Sequence, residues 1–128
     1  MLIIGLLSRC YGRSPSPDGR ALLRIGEALS HLERNIHREI DLEELATIAH
    51  MSQRSFLRVF QSAVGTSPLA WVIGQRINRA CSLLRHTDKR ITEIAFDVGF
   101  NDSNYFTRQF TKATGLSPRN YRMRQGVV

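Results

Sequence analysis

The chain contains one internal repeat. The segment SQRSFLRVFQSAVGTSP (52–68) aligns with DSNYFTRQFTKATGLSP (102–118) at an offset of 50 residues, and seven of the 17 positions are identical. The short apolar stretches before them align better at an offset of 49, where residues 45–46 match residues 94–95. A solenoid needs about three or more repeats to bury a continuous core. Two copies therefore predict two similar small units.

After Arg20, apolar residues recur at the spacing of an α-helix, and no stretch alternates as a strand does. The periodicity predicts an all-α fold of about seven helices. A first helix of about 16 residues carries apolar positions from Leu22 to Ile36, Leu23 among them. A short second helix follows Asp41, which is a candidate N-cap. The third helix runs from residue 53 to residue 64 and stops at a glycine.

The second copy predicts the same arrangement after a long central helix. Ser67-Pro68 opens that helix, which extends to about His86. Its apolar positions are predicted to face inward: Leu69, Val72, Ile73, Ile77, Ala80, Cys81 and Leu84. A short helix, a turn at residues 99–100 and a helix over about 103–114 follow. Ser117-Pro118 opens a last short helix.

These elements predict three segments. Residues 21–73 form a first helix-turn-helix subdomain and residues 74–125 form a second. Residues 1–20 are interpreted as the end of an upstream amphipathic helix followed by a flexible linker. The apolar run of residues 2–7 is shorter than the roughly 20 residues that span a bilayer. A segment with no basic start or small-residue cleavage site is not typical of a signal peptide.

Each helix of the repeat has two unlike faces. A helical wheel at 100° per residue places Phe56, Phe60 and Ala63 on one side of the third helix. The equivalent residues Phe106, Phe110 and Ala113 are predicted to face inward in the second copy. The opposite faces carry polar residues, which are Arg54, Ser55, Arg58 and Ser62 in the first copy and Asn104, Tyr105, Arg108 and Lys112 in the second.

A short helix, a tight turn and a second helix with a polar outer face form the arrangement that enters a DNA major groove. Arginine can donate two hydrogen bonds to guanine, and asparagine can pair with adenine. Arg58 and Arg108 occupy equivalent positions, beside Arg54 and Asn104, so we interpret them as base-reading residues. A central helix of about 20 residues is about 30 Å long, and successive major grooves lie about 34 Å apart. One chain could therefore read two adjacent grooves of an asymmetric site.

Charge agrees with a nucleic-acid partner. The chain carries a net charge of +7 and has a pI near 10.4, which favours a polyanion as the binding partner.

No catalytic motif, phosphate loop or metal-ligand spacing is present in the sequence, so neither an enzyme nor a cofactor is predicted. Cys10 and Cys81 favour a reducing compartment, hence the cytoplasm with its nucleoid. Two alternatives stay open: a general nucleic-acid-compacting or RNA-binding protein, and a membrane-surface module using the apolar N-terminal stretch. We favour specific DNA binding and no membrane.

Residues 21–124 resemble the DNA-binding domain of the AraC/XylS family of bacterial transcription regulators. Three motifs carry the resemblance: I-A-x-x-x-G-F (94–100), F-x-R-x-F (106–110) and G-x-S-P-x-x-Y-R (115–122). The chain looks most similar to the rhamnose-type activators, which share the D-S-N segment and an arginine pair four residues apart in the first copy.

The resemblance implies a transcription regulator, expected to be an activator, with base contacts from both copies. It also implies that two acidic residues can face the sigma subunit of RNA polymerase, although each could simply stabilise the start of its helix. A monomer on DNA is expected, and a dimer could form through residues 2–11 or a missing upstream domain. The implied base contacts are Arg54, Arg58, Ser103, Asn104 and Arg108, and the implied polymerase contacts are Glu93 and Asp102.

Three features depart from the family pattern. His50 stands where the second copy has Gly99, which predicts a first turn that is strained or built differently. Leu57 lies near the outer face of the third helix, where it could touch a thymine methyl group or pack at the helix edge, and we favour packing. Many relatives carry a sugar-binding β-barrel and a dimerisation helix upstream. Here only MLIIGLLSRCYG resembles the end of such a helix.

Overall fold

The computed structural model of the chain describes residues 19–126. Within that range it contains seven α-helices and no strand, which confirms the predicted all-α fold. The predicted remnant of an upstream helix lies before residue 19, outside the described residues. The helices are α1 (Gly19–Arg34), α2 (Leu42–Ile48), α3 (Gln53–Val64), α4 (Pro68–His86), α5 (Ile91–Asp97), α6 (Ser103–Thr114) and α7 (Pro118–Gly126).

The boundaries of α1 differ from the prediction at both ends. The helix begins at Gly19, so the last two residues that we assigned to the linker are helical. It ends at Arg34, and Ile36 lies beyond it. Asn35 ends the helix because its side-chain Nδ2 donates a 2.8 Å hydrogen bond to the carbonyl oxygen of His31. That bond satisfies one of the carbonyl groups that a helix leaves unpaired at its C-terminus.

The described residues divide into two compact units. The first comprises residues 19–35 and 40–71, and the second comprises residues 36–39 and 72–126. Residues 36–39 connect α1 to α2 along the chain, yet they pack with the second unit.

The core of the first unit is formed where α1, α2 and α3 pack together. Phe56 and Phe60 of α3 are fully buried, and their ring centroids lie 5.6 Å apart. The core of the second unit repeats this pair with Phe106 and Phe110, whose centroids lie 5.7 Å apart. The other buried residues of the second core are Ile77, Ala80, Leu84, Ile94, Ala95, Val98 and Phe100.

The repeat extends further than the sequence comparison found. The segment RIGEALSHL (24–32) of α1 aligns with RINRACSLL (76–84) of α4 at an offset of 52, and five of the nine positions are identical. The buried residues correspond as well: Ile25, Ala28 and Leu32 in α1 match Ile77, Ala80 and Leu84 in α4. Each unit is therefore built on the same inward-facing pattern in its first long helix.

Two residues that we predicted to face inward are exposed. They are Leu69, which is 54% exposed, and Ala113, and the apolar residue Leu23 near the start of α1 is 73% exposed as well. Ala63, its counterpart in the first unit, is buried on α3, which packs against α1. A helical wheel gives the direction of a side chain but not the extent of the neighbouring element that must cover it. The predictions were wrong at the ends of helices, where that cover is missing.

Candidate nucleic-acid interface

Residues in or next to α3 determine where the helix starts, where it ends and which of its faces is exposed. Ser52 caps the helix by accepting a 3.1 Å hydrogen bond from the backbone N–H of Ser55. Gly65 ends it in the left-handed conformation, with φ of 93°. Because the two phenylalanines of α3 are buried, Arg54 and Arg58 are exposed on the opposite side. The sequence therefore presents two arginines, one helical turn apart, to solvent.

The helix α6 is built in the same way with different capping chemistry. Asp102 caps it, and its Oδ1 accepts hydrogen bonds from the backbone N–H groups of Asn104 and Tyr105, at 2.8 and 3.4 Å. Gly115 ends it with φ of 84°. The side chains of Asn104 and Arg108 are exposed. The exposed face of α6 thus has the register of α3, with Asn104 in place of Arg54.

The turns before these two helices share one hydrogen-bond pattern. In the first, Met51 N–H donates to the carbonyl oxygen of Ala46 at 2.9 Å, and in the second Phe100 N–H donates to that of Ala95 at the same distance. His50 has φ of 58° and Gly99 has φ of 114°. The first turn is therefore not built differently, but it places a residue with a Cβ in the left-handed region, which is the strained alternative.

The residues predicted to bind DNA fall into two groups by exposure. Ser55 and Ser103 are half-buried at the starts of their helices. Leu57 is 37% exposed beside the arginines of α3. The four exposed candidates are Arg54, Arg58, Asn104 and Arg108. Each unit therefore combines exposed candidates with a partly covered serine on one helix.

The two acidic residues proposed to contact polymerase both stabilise helix starts. The Oε1 atom of Glu93 accepts a 2.9 Å hydrogen bond from the backbone N–H of Arg90, just before α5. Asp102 is the N-cap of α6. Both side chains remain exposed, so the capping role leaves part of each carboxylate open to solvent.

Tyr105 differs from its predicted outward position. It is half-buried, and its ring centroid lies 5.9 Å from that of Phe100. The guanidinium carbon of Arg108 lies 5.7 Å from the centroid of the Tyr105 ring. One ring thus packs against the core of the second unit and contacts an exposed arginine of α6.

Arg76 is a buried residue that the sequence analysis missed. It is 7% exposed, and its guanidinium carbon lies 5.6 Å from the centroid of the Phe100 ring. Burial lowers the pKa of Arg76, and the nearby Tyr105 opposes that shift. A signal was present: Arg76 lies four residues from both Val72 and Ala80, two positions predicted to face inward.

The final motif of the repeat supports the second unit structurally. Arg122 donates hydrogen bonds to the carbonyl oxygens of Leu84, Thr87 and Lys89, at 3.2, 3.0 and 2.7 Å. These bonds hold the end of α4 and the connection to α5. The ring of Tyr121 meets Phe110 edge-on, with centroids 5.4 Å apart. The Y-R part of the motif is therefore part of the fold.

Over residues 19–126, no helix is both long and apolar enough to cross a membrane. In the same range, no group of three or more histidine, cysteine or acidic side chains is placed to hold a metal ion.

Comparison with known proteins agrees with this geometry. A family model described as a helix-turn-helix domain matches residues 45–124. The transcriptional activator RhaS of Mannheimia succiniciproducens is 39% identical over 113 residues, which cover 88% of this chain and 40% of RhaS. The chain belongs to the AraC/XylS family of transcription regulators. The MmsAB operon regulatory protein of Pseudomonas aeruginosa is 33% identical over 95 residues, covering 74% of this chain and 31% of that protein.

The fold of this AraC/XylS chain is also found in solved structures. The DNA-binding domain of AdpA, a global transcriptional factor crystallised with a target DNA, has a TM-score of 0.73 and 35% identity. The match covers 78% of this chain and 90% of that domain. In contrast, the chain spans only between 31% and 40% of the length of RhaS and the MmsAB regulator.

Proposed function

We propose that this AraC/XylS chain binds double-stranded DNA in a sequence-specific manner and regulates transcription, acting as an activator. The observation that carries the proposal is the pair of capped 12-residue helices, α3 and α6, with Arg58 and Arg108 exposed at the same register. An exposed arginine on such a helix suits guanine O6 and N7 in the major groove. The activator role is supported by the similarity to RhaS.

Each unit supplies its own base-reading group. In the first unit, Arg54, Ser55 and Arg58 face the bases. In the second, Asn104 suits adenine and Arg108 suits guanine, with Ser103 at the helix start. Because the two groups differ in chemistry, a chain that uses both reads an asymmetric sequence. We propose that α3 and α6 enter adjacent major grooves.

Helix α4 joins the two units along the chain, because its residues 68–71 belong to the first unit and its residues 72–86 belong to the second. One chain therefore supplies both reading helices, and we propose that one monomer occupies one site.

A contact with RNA polymerase is the proposed route to activation. Glu93 and Asp102 keep exposed carboxylates while their other contacts cap α5 and α6. Acidic groups at these positions suit a basic surface of the sigma subunit. The chain acts as a binding protein and not as an enzyme, and its site of action is the nucleoid of a bacterial cytoplasm.

Selection of binding sites from a random DNA pool tests the proposal. The purified chain should enrich one asymmetric sequence with two clusters of preferred bases about 10 base pairs apart, because each cluster lies in one major groove. Native mass spectrometry should give one chain per selected duplex. Binding without sequence enrichment would instead support the nucleic-acid-compacting alternative, and a single cluster would contradict reading by two helices.

A further inference from the structure

A line of cationic and aromatic groups in contact with one another crosses the second unit. The guanidinium of buried Arg76 faces the Phe100 ring, with 5.6 Å between its carbon atom and the centroid. The Phe100 and Tyr105 rings lie 5.9 Å apart, and the guanidinium carbon of Arg108 lies 5.7 Å from the Tyr105 centroid. Each distance is within the range of a cation–π or aromatic contact. The line begins in the core and ends at an exposed arginine of α6.

From this geometry we infer that Tyr105 is a positioning residue that orders the Arg108 side chain for base reading before DNA binds. The inference rests on the proposed function, because it requires Arg108 to contact a base. A free arginine samples many rotamers, and ordering them on binding lowers affinity. A ring beneath the guanidinium removes part of that cost in advance.

The contact with Tyr105 leaves the donors of Arg108 available. A cation–π contact involves the charge of the guanidinium, and the group keeps its five N–H donors. Two of them can therefore still reach O6 and N7 of a guanine. The Tyr105 ring is itself held in place, because it packs on Phe100, which is only 3% exposed.

Helix α3 of the first unit has no aromatic residue at the position equivalent to Tyr105. Ser55 stands at the position equivalent to Tyr105, so Arg58 has no aromatic ring three residues before it. Under this inference, the Arg108 side chain is ordered by a ring before DNA binds, whereas the Arg58 side chain has no equivalent ring on its helix. The second unit should discriminate bases more sharply per arginine than the first, since a smaller part of its contact energy is used to order the side chain.

A double-mutant cycle on the full chain tests the inference, with a duplex selected by the unaltered chain as the probe. Tyr105→Leu keeps apolar packing on Phe100 but removes the aromatic face. It should weaken binding by a factor of about two to five, the range of an exposed cation–π contact. Tyr105→Phe keeps the face and should bind as the unaltered chain does. Tyr105→Met replaces the leucine variant if thermal unfolding shows that the latter is not folded.

Introducing Tyr105→Leu into other variants distinguishes a positioning role of Tyr105 from a purely structural one. With Arg108→Ala already present, Tyr105→Leu should cost no further affinity. With Arg58→Ala present, it should cost its full factor. A loss of equal size in all three backgrounds would show that Tyr105 only supports the fold, and would overturn the inference while leaving the base contact in place. If Arg108→Ala itself causes no loss of specific affinity, both the base contact and the positioning role are wrong.

Discussion

The Nε atom of Arg76 donates a 2.8 Å hydrogen bond to the carbonyl oxygen of Ile36, which lies 40 residues earlier in the chain. Its Nη2 atom donates a second bond, of 2.6 Å, to the carbonyl oxygen of Arg38. These carbonyl groups belong to the connection between α1 and α2, which lies outside both helices. Arg76 therefore holds this connection against α4 through two hydrogen bonds from one guanidinium.

Replacing Arg76 should destabilise the protein strongly. Arg76→Met keeps apolar volume but removes both donors, and the loss of hydrogen bonds from a charged group should lower the free energy of unfolding by about 3 kcal/mol. Urea denaturation measures this. Arg79→Met, an exposed arginine on the same helix, is the matched control and should change stability by less than about 0.5 kcal/mol. Equal stability of the two variants would show that the Arg76 bonds contribute nothing.

Gly99 should tolerate substitution less well than Gly115. Both residues have positive φ, at 114° and 84°, so Gly→Ala at either position should cost about 1–2 kcal/mol in backbone strain. A Cβ at Gly99 would also lie 2.7 Å from Nε of Arg76 and 3.0 Å from Cα of His37, whereas one at Gly115 would meet nothing within 4 Å. Gly99→Ala should therefore lose at least about 1 kcal/mol more in chemical denaturation. The reverse order would contradict this packing.

The strained turn at His50 offers a stabilising change. A non-glycine residue in the left-handed region costs about 1–2 kcal/mol, and glycine regains most of that despite its more flexible unfolded state. His50→Gly should raise the free energy of unfolding by about 0.5–1 kcal/mol, measured as a higher urea midpoint. His50→Ala, which keeps a Cβ at this φ of 58°, is the control and should give no gain. A gain of the same size with alanine would place the cost in the imidazole rather than in the backbone.

Salt dependence should reveal a large phosphate interface. The chain has a net charge of +7, and about six to ten phosphate contacts would weaken binding by about 10³–10⁵ between about 50 and 200 mM salt. Fluorescence anisotropy with a selected duplex measures the slope. Arg58→Ala should leave that slope unchanged if Arg58 contacts a base, and would reduce it by about one if Arg58 contacts a phosphate.

Features governed by local chemistry were predictable from the sequence. The helix α3 has the bounds that Ser52 and Gly65 predict, because a serine N-cap and a left-handed glycine act within one turn of themselves. The burial of Phe56 and Phe106 follows from helical periodicity and from the repeat. The exposed arginines follow in turn, since they lie opposite residues that must be buried.

Features that depend on contacts distant in the chain were not predictable in this way. Arg76 is buried where it donates hydrogen bonds to carbonyl groups about 40 residues away in the chain. A pattern read along the sequence does not show which distant group an arginine bonds to. Tyr105 appeared to face solvent because the wheel ignores Phe100, which lies in the preceding turn. The sequence similarity between α1 and α4 is not seen when the chain is aligned with itself at the 50-residue offset of the repeat, because these two helices align at an offset of 52.

Binding-site selection with Arg58→Ala and with Arg108→Ala tests the central claim most directly. Each variant should lose about 1–3 kcal/mol of affinity for the selected site. Each should also relax base preference in a different cluster, about one helical turn of DNA apart, and the two losses should roughly add. If both variants relax the same base positions, or if neither changes the preference, then reading of two grooves by one chain is wrong.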